Sequence, residues 1–195
     1  KAQEAGVDAI VAEGFEAGGH NGRDETTTLT LIPMLRAQVT IPLLAAGGIA
    51  TGNGMMAAMA LGADGVQIGS RFVASTESSA HEAFKHAVVS AKEGDTQLTL
   101  KELAPVRLLK NKFYQELQAL YKKTPSADDL KVFLGRARAK RGMFKGDLEQ
   151  GELEIGQVSV LIDEIMSVSE IVDSILREFN SCKTRLAAIN IDSKS

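Results

Sequence analysis

The 195-residue chain is long enough to bury a core, and with 44% hydrophobic and 24% charged residues it reads as a folded globular protein, not a disordered or fibrous one. A net charge of −3 without a basic run argues against nucleic acid or an acidic membrane as partner, and charges and glycines break every apolar stretch short of membrane-spanning length. The single cysteine, Cys182, excludes an internal disulfide and points to a reducing, cytoplasmic setting.

Lys1 to Gly6 reads as the last turn of a helix closed by glycine, with no initiator Met and no signal-peptide pattern. A helix entered in mid-turn implies sequence upstream of Lys1. Val7 to Ala12 is a short apolar run, expected as a buried strand. Glu13-Gly14-Phe15-Glu16-Ala17-Gly18-Gly19-His20-Asn21-Gly22 follows as a glycine-rich loop carrying one histidine. Thr26 to Ala37 has helical spacing in Leu29, Ile32 and Leu35, and Pro33 is expected to restart or kink that helix. Ile41 to Ala46 is the second strand, with Pro42 near its start, where a missing N–H is tolerated. Gly52 to Leu61 is a Met- and Ala-rich helix ended by Gly62. Gly65 to Ile68 is the third strand, and Ser78 to Lys92 is helical.

Gly6-Val7-Asp8-Ala9-Ile10 and Gly62-Ala63-Asp64-Gly65-Val66 echo one another: a helix-stopping glycine, then an Asp-bearing entry into a strand. Repeated β-α units of this kind favour a parallel sheet. From Asp95 the character changes. Leu98 to Leu120 reads as helix-rich and charged, and Thr124 to Asp129 as a turn leading to a helix cap. Gly142 to Gly156 reads as a loop. Gln157 to Met166 and Ser169 to Phe179 have helical periodicity. The expected division is residues 1–94 as an α/β unit, 95–166 as a helical appended segment, 167–180 as a C-terminal helix and 181–195 as a flexible tail.

Gly47-Gly48 and Gly69-Ser70 end consecutive strands. Backbone N–H groups at such turns, with a helix following, suit a phosphate dianion, although the same glycines also serve as plain tight turns. Barrel enzymes commonly build this site after strands seven and eight, which makes the three strands here the sixth to eighth. His20, on the same strand-end face, is placed to exchange a proton or to hold an anion, or else is a surface loop histidine. Glu13 and Gln67 stand at strand ends where they can hydrogen-bond a cofactor or a sugar chain, and Glu16 can order the loop. His81 and His86 read as helix-surface residues, and Met55, Met56 and Met59 as core packing. Arg107 and Asn111 read as a solvated helix face or as a contact between the appended segment and the first unit. No metal-ligand spacing, Walker sequence or Gly-x-Ser-x-Gly is present.

Taken together, Val11 to Gly22, Ile41 to Ala50 and Gly65 to Phe72 resemble the nitronate monooxygenase family, formerly called 2-nitropropane dioxygenases. The FMN-dependent enoyl-[acyl-carrier-protein] reductases are similar in all three blocks. The resemblance is strong to about residue 92 and looser through Pro105 to Phe113 and Lys145 to Gln157. It implies an α/β fold, the C-terminal part of a (β/α)8 TIM barrel with a mostly helical appended domain, and FMN as cofactor. It implies that His20 is the active-site histidine, that Gly18, Gly19 and Glu13 face the flavin, and that Gly47, Gly48, Gln67, Ile68, Gly69 and Ser70 surround its phosphate. The implied reaction is oxidation of an alkyl nitronate by O2 to a carbonyl compound and nitrite. The reductase alternative uses NAD(P)H as electron donor and an enoyl thioester as substrate; a third reading is an inactive fragment. Glu13 stands where many nitronate monooxygenases carry Gln and the reductases more often carry Glu. The family's first five strands have no counterpart in this sequence, so an N-terminal half-barrel is an expected partner, as is a second copy in a homodimer.

Overall fold

The computed structural model describes residues 1–190. In chain order the strands are β1 (Ile10–Glu13), β2 (Gly19–His20), β3 (Leu43–Ala46), β4 (Gly65–Gln67), β5 (Thr96–Thr99) and β6 (Val106–Leu109). The α-helices are α1 (Thr28–Arg36), α2 (Gly52–Ala60), α3 (Ser70–Val73), α4 (Glu82–Val89), α5 (Lys112–Tyr121), α6 (Ala127–Leu134) and α7 (Val168–Ala187). Among the described residues no helix is long and apolar enough to cross a membrane.

The strands form two sheets. The first is parallel, in the order β1-β3-β4, with Ile10 opposite Leu43 and Leu44 opposite Gly65. Its short β-branched and aliphatic strands are joined by helices, as parallel pairing requires. Ala12, Leu43 and Ala45 bury with Ile32 of α1 and Ala58 of α2 in one cluster. Asp64 of the repeated strand-entry motif accepts the Leu43 N–H at 2.8 Å and pairs with Arg36 at 2.9 Å, tying β3 to the end of α1. Pro33 sits inside α1 without dividing it. The loss of one backbone bond is offset by burial of Ile32, which is fully inaccessible.

The second sheet is antiparallel, in the order β2-β6-β5. Here the structure departs from the helical expectation for Leu98 to Leu120: β5 and β6 pair over Thr96–Thr99 and Val106–Leu109, and helix begins only at Lys112. The reason is burial. All four residues of β6 are buried, Arg107 included, so the strand lacks the period-two alternation that marks a half-exposed strand. Behind β6, Phe113 and Phe133 stack at 5.6 Å, and the Arg138 guanidinium lies over both rings.

Three further expectations change. A π-helical turn at Lys140–Phe144 runs into the Gly142 to Gly156 stretch, and Glu154 then bridges Leu108 of β6. Gln157 to Met166 holds only a short 3-10 helix, Gln157–Leu161. The C-terminal helix opens on a Ser167–Glu170 capping box and continues to Ala187, so residues 181–187 are helix, not tail; residues 191–195 lie outside those described. Cys182 is buried, part of the face that α7 lays on the body. α7 approaches α2 closely because Gly52 has no side chain: a Cβ there would lie 2.2 Å from the Ile175 carbonyl oxygen.

Candidate functional site

Where the carboxyl ends of β1, β3 and β4 meet the extended segment after the π turn, they enclose a cleft of about 210 Å3. Glu13 and Gln67 enter it from strand ends, Gly18 and Gly19 from the loop after β1, Gly47 and Gly48 from the turn after β3, and Gly69 and Ser70 from the turn after β4. Met143, Glu154, Ile155 and Val158 close the opposite side. The glycine turns are needed where they stand. Gly47 and Gly48 have φ of 87° and 72°, and a Cβ at Gly47 would lie 2.5 Å from the Gly14 carbonyl oxygen.

The loop after β1 is held by a dense set of bonds. The Glu16 carboxylate accepts the Thr28 N–H at 3.0 Å, and the Thr28 hydroxyl donates to the Gly47 carbonyl at 2.8 Å. Glu16 thereby orders the loop instead of entering the cleft. Arg107, only 2% exposed, donates to the Phe15 carbonyl at 2.9 Å and 3.2 Å, with its guanidinium 4.7 Å from the Phe15 ring. The Asn21 amide donates to the Ala17 and Gly19 carbonyls, both at 3.0 Å, and its Oδ1 is buried without a partner. Of the two alternatives for Arg107, the structure shows the contact with the first unit. Asn111 caps α5 by accepting the Tyr114 N–H at 3.0 Å.

Two expected residues sit differently. His20 pairs with Val106 in β2 and is exposed beside the cleft, not among its lining residues. Ile68 turns into the apolar cluster beneath the parallel sheet. Ser70 is positioned from the far side: its Oγ accepts the Gly156 N–H at 3.0 Å, which leaves the hydroxyl proton free to donate into the cleft.

Two carboxyl groups, those of Glu13 and Glu154, line the cleft. Burial raises the Glu13 carboxyl above its usual range. Burial also raises Glu154, and the nearby His20 charge opposes that rise. Glu152, on the same extended segment, is pushed up to about 7 by burial and then by the Glu154 charge, with Arg138 opposing. Sequence reading missed Glu154, Ile155 and Met143, because the glycines of that region signalled a loop. A legible sign was present: Leu153 and Ile155 are 3% and 2% exposed, so Glu152-Leu153-Glu154-Ile155 alternates as a strand does.

A family model for nitronate monooxygenase matches residues 1–178. The chain is 34% identical over 193 residues to a probable nitronate monooxygenase of Staphylococcus saprophyticus, an alignment covering 94% of this chain and 54% of that one. Among solved structures it is similar to FabK from Thermotoga maritima, with a TM-score of 0.87 and 42% identity over 95% of this chain and 58% of that one. Nitroalkane oxidase from Streptomyces ansochromogenes matches with a TM-score of 0.75 and 32% identity over 94% and 55%. The chain thus spans a little over half the length of these relatives. With the family model covering nearly all of it, the chain belongs to the nitronate monooxygenase family.

Proposed function

We propose that the cleft holds FMN by its phosphate, and that the protein oxidises alkyl nitronates with O2 to a carbonyl compound and nitrite. The observation that carries this reading is the convergence of Gly47, Gly48, Gly69 and Ser70 on one cleft, at the ends of adjacent parallel strands. The residues fit a phosphate ester. A Cβ at Gly69 would meet nothing within 4 Å, so open space lies where a ligand would sit. The Ser70 hydroxyl is oriented by Gly156 with its proton to spare. Backbone N–H groups at these turns hold a dianion without a competing side chain.

When bound, flavin supplies the redox chemistry. The chain's residues bind and orient. Glu13 and Gln67 accept hydrogen bonds from the sugar-alcohol chain. His20, at the rim, binds the nitronate anion, or takes the carbon-bound proton when a neutral nitroalkane is the substrate. Because β1 and β4 are the edges of the parallel sheet, we assign β1, β3 and β4 to positions six, seven and eight of a (β/α)8 barrel, whose other strands complete the flavin's surroundings. The appended part, from Asp95 onward, forms the far wall through Met143 and Ile155.

A second reading is reduction of an enoyl thioester with NAD(P)H through the same flavin. It is favoured by the 42% identity to FabK and by Glu13 at a position where the family resemblance allows Gln. Flavin released by heat from the full-length protein and identified by chromatography tests the cofactor. Oxygen uptake with a nitronate supports the first activity, whereas NADH oxidation driven only by an enoyl thioester replaces it with the second. His20→Asn should retain FMN and lower turnover, and unchanged kinetics would remove His20 from the site.

A further inference from the structure

We propose that Glu154 is the positioning residue of His20, a carboxylate that orients the imidazole at the cleft rim and stabilises it once it has taken a proton. The proposal rests on the reading of His20 as the proton-handling group, and its first basis is register. In β6, Arg107 faces Gly19 and Val106 faces His20. The next residue of β6, Leu108, bridges Glu154, and Leu109 N–H donates to the Leu153 carbonyl at 2.9 Å. The segment that carries Glu154 therefore continues the line of β2 along the same strand, end to end with it.

The second basis is space. Leu153 and Ile155 turn into the core at 3% and 2% exposure, which sends Glu154 to the opposite side, into the cleft. Its Oε2 lies 2.7 Å from where a Cβ of Gly19 would stand. Gly19, with φ of 72°, leaves room for that carboxylate, and a side chain at this position would expel it. The carboxylate is thus held against the residue next to His20.

The third is charge. Burial disfavours ionisation of Glu154, and the His20 imidazolium is the group that opposes this effect. The other ionisable neighbours do not compete for the role. Glu152 lies on the same segment with the same sign of charge, and Arg138 acts on Glu152. Glu13, also in the cleft, is a carboxyl raised by burial. Arg107 spends its guanidinium on the Phe15 carbonyl. The Glu154 charge adds to burial in raising the Glu152 carboxyl.

In the proposed step, the proton leaves the carbon that bears the nitro group and bonds to the imidazole nitrogen. The C–H electron pair stays on the substrate as the nitronate. Glu154 keeps its charge and stabilises the imidazolium, as a carboxylate does beside a histidine base. A preformed nitronate has no such proton to lose, so Glu154 matters less for it.

The test uses the full-length protein labelled with 13C at glutamate Cδ, with the Glu154 signal assigned by its loss in Glu154→Gln. In His20→Asn the Glu154 titration midpoint should rise by about half a unit or more, the direction expected when a nearby cation is removed. A midpoint that stays or falls overturns the proposal. That readout needs neither flavin nor turnover, so it stands if the nitronate reading fails. In the active protein, Glu154→Gln should lower kcat for a neutral nitroalkane by about tenfold or more and that for the preformed nitronate by less than about threefold. The limb of its pH profile assigned to the His20 base should move to lower pH, and Glu154→Asp should restore part of the rate. Equal losses with both substrates would make Glu154 a structural residue and overturn the pairing.

Discussion

The two walls of the cleft are built by opposite means. The wall from β1, β3 and β4 is mostly backbone: Gly18, Gly19, Gly47, Gly48 and Gly69 face the space, and few side chains intervene. The facing wall and its supports are made by side chains: Arg107 on Phe15, Arg138 over two stacked rings, and Glu154, Ile155 and Met143 in the cleft. The first wall also leaves apolar groups open, with Val11 and Leu29 at 46% and 68% exposure, while β6 is buried along its length. A backbone wall suits a ligand gripped by amide groups, and its geometry is fixed by the absence of side chains. A side-chain wall fixes the loop from outside and supplies ionisable groups. Substitutions in the two walls should therefore fail differently.

The largest expected effect is at the seam between them. A Cβ at Gly18 would lie 2.4 Å from both the Gly156 nitrogen and the Ile155 carbonyl carbon. Those atoms are backbone and cannot swing aside. Gly18→Val should cost about 3 kcal/mol or more, or prevent folding. Thermal unfolding monitored by circular dichroism reads this directly. A variant that melts with the parent would show that the walls separate freely and that their contact positions nothing.

Arg107→Met comes next. It keeps much of the buried volume but leaves the Phe15 carbonyl without its donors and the ring without its cation. A loss of about 1 to 3 kcal/mol is expected, with faster amide exchange confined to residues 14–20. Burial lowers the affinity of this guanidinium for its proton, yet the Glu16 and Glu25 charges favour it, so it remains a cation. Uniform acceleration of exchange across the molecule would instead make Arg107 a general core residue with no special hold on the loop.

Much of the backbone wall was legible in the sequence, and little of the side-chain wall was. Gly47-Gly48 and Gly69-Ser70 each follow an apolar run, and a glycine after a strand declares a turn whatever the rest of the fold does. The β1, β3 and β4 runs are short and aliphatic, with the Asp64 entry signal repeated from Asp8. By contrast, Val106-Arg107-Leu108-Leu109 reads as one side of a helix because its charge is buried by a carbonyl and a ring 92 residues earlier in the chain. The Gly142 to Gly156 stretch was obscured by glycines that serve packing: a Cβ at Gly151 would lie 2.2 Å from the Gly142 Cα. Periodicity carries the local burial pattern, and it cannot report a partner that arrives from far along the chain.

A smaller, pH-dependent effect is expected at Glu152. Its carboxyl titrates at about 7 in the folded protein against 4.5 in the unfolded chain. The folded state then binds more protons, so stability falls as pH rises between these values and stays lowered above them. The penalty is at most about 3 kcal/mol, less where water reaches the carboxyl. Glu152→Gln should therefore raise the melting temperature near pH 8 and leave it unchanged near pH 4. An equal gain at both would assign the effect to packing.

The smallest effect on folding should accompany a large one on binding, at Gly69. Its φ of −103° is accessible to any residue, and a Cβ there meets nothing within 4 Å. Gly69→Ala removes freedom from the unfolded chain, worth about 0.4 to 1 kcal/mol, so the variant should melt no lower than the parent. The new methyl group adds bulk in open space at a residue that lines the cleft proposed for the phosphate, where the backbone must come within hydrogen-bonding distance of an anion. Affinity for FMN, read by fluorescence quenching in the full-length protein, should drop by about tenfold or more, the equivalent of one well-placed charge-assisted bond. Gly47→Ala makes the contrast, since its φ of 87° and the Gly14 carbonyl at 2.5 Å predict lost stability as well. A Gly69→Ala protein that folds normally and binds FMN as tightly as the parent would show that the backbone after β4 does not grip the cofactor, and the phosphate would have to lie elsewhere.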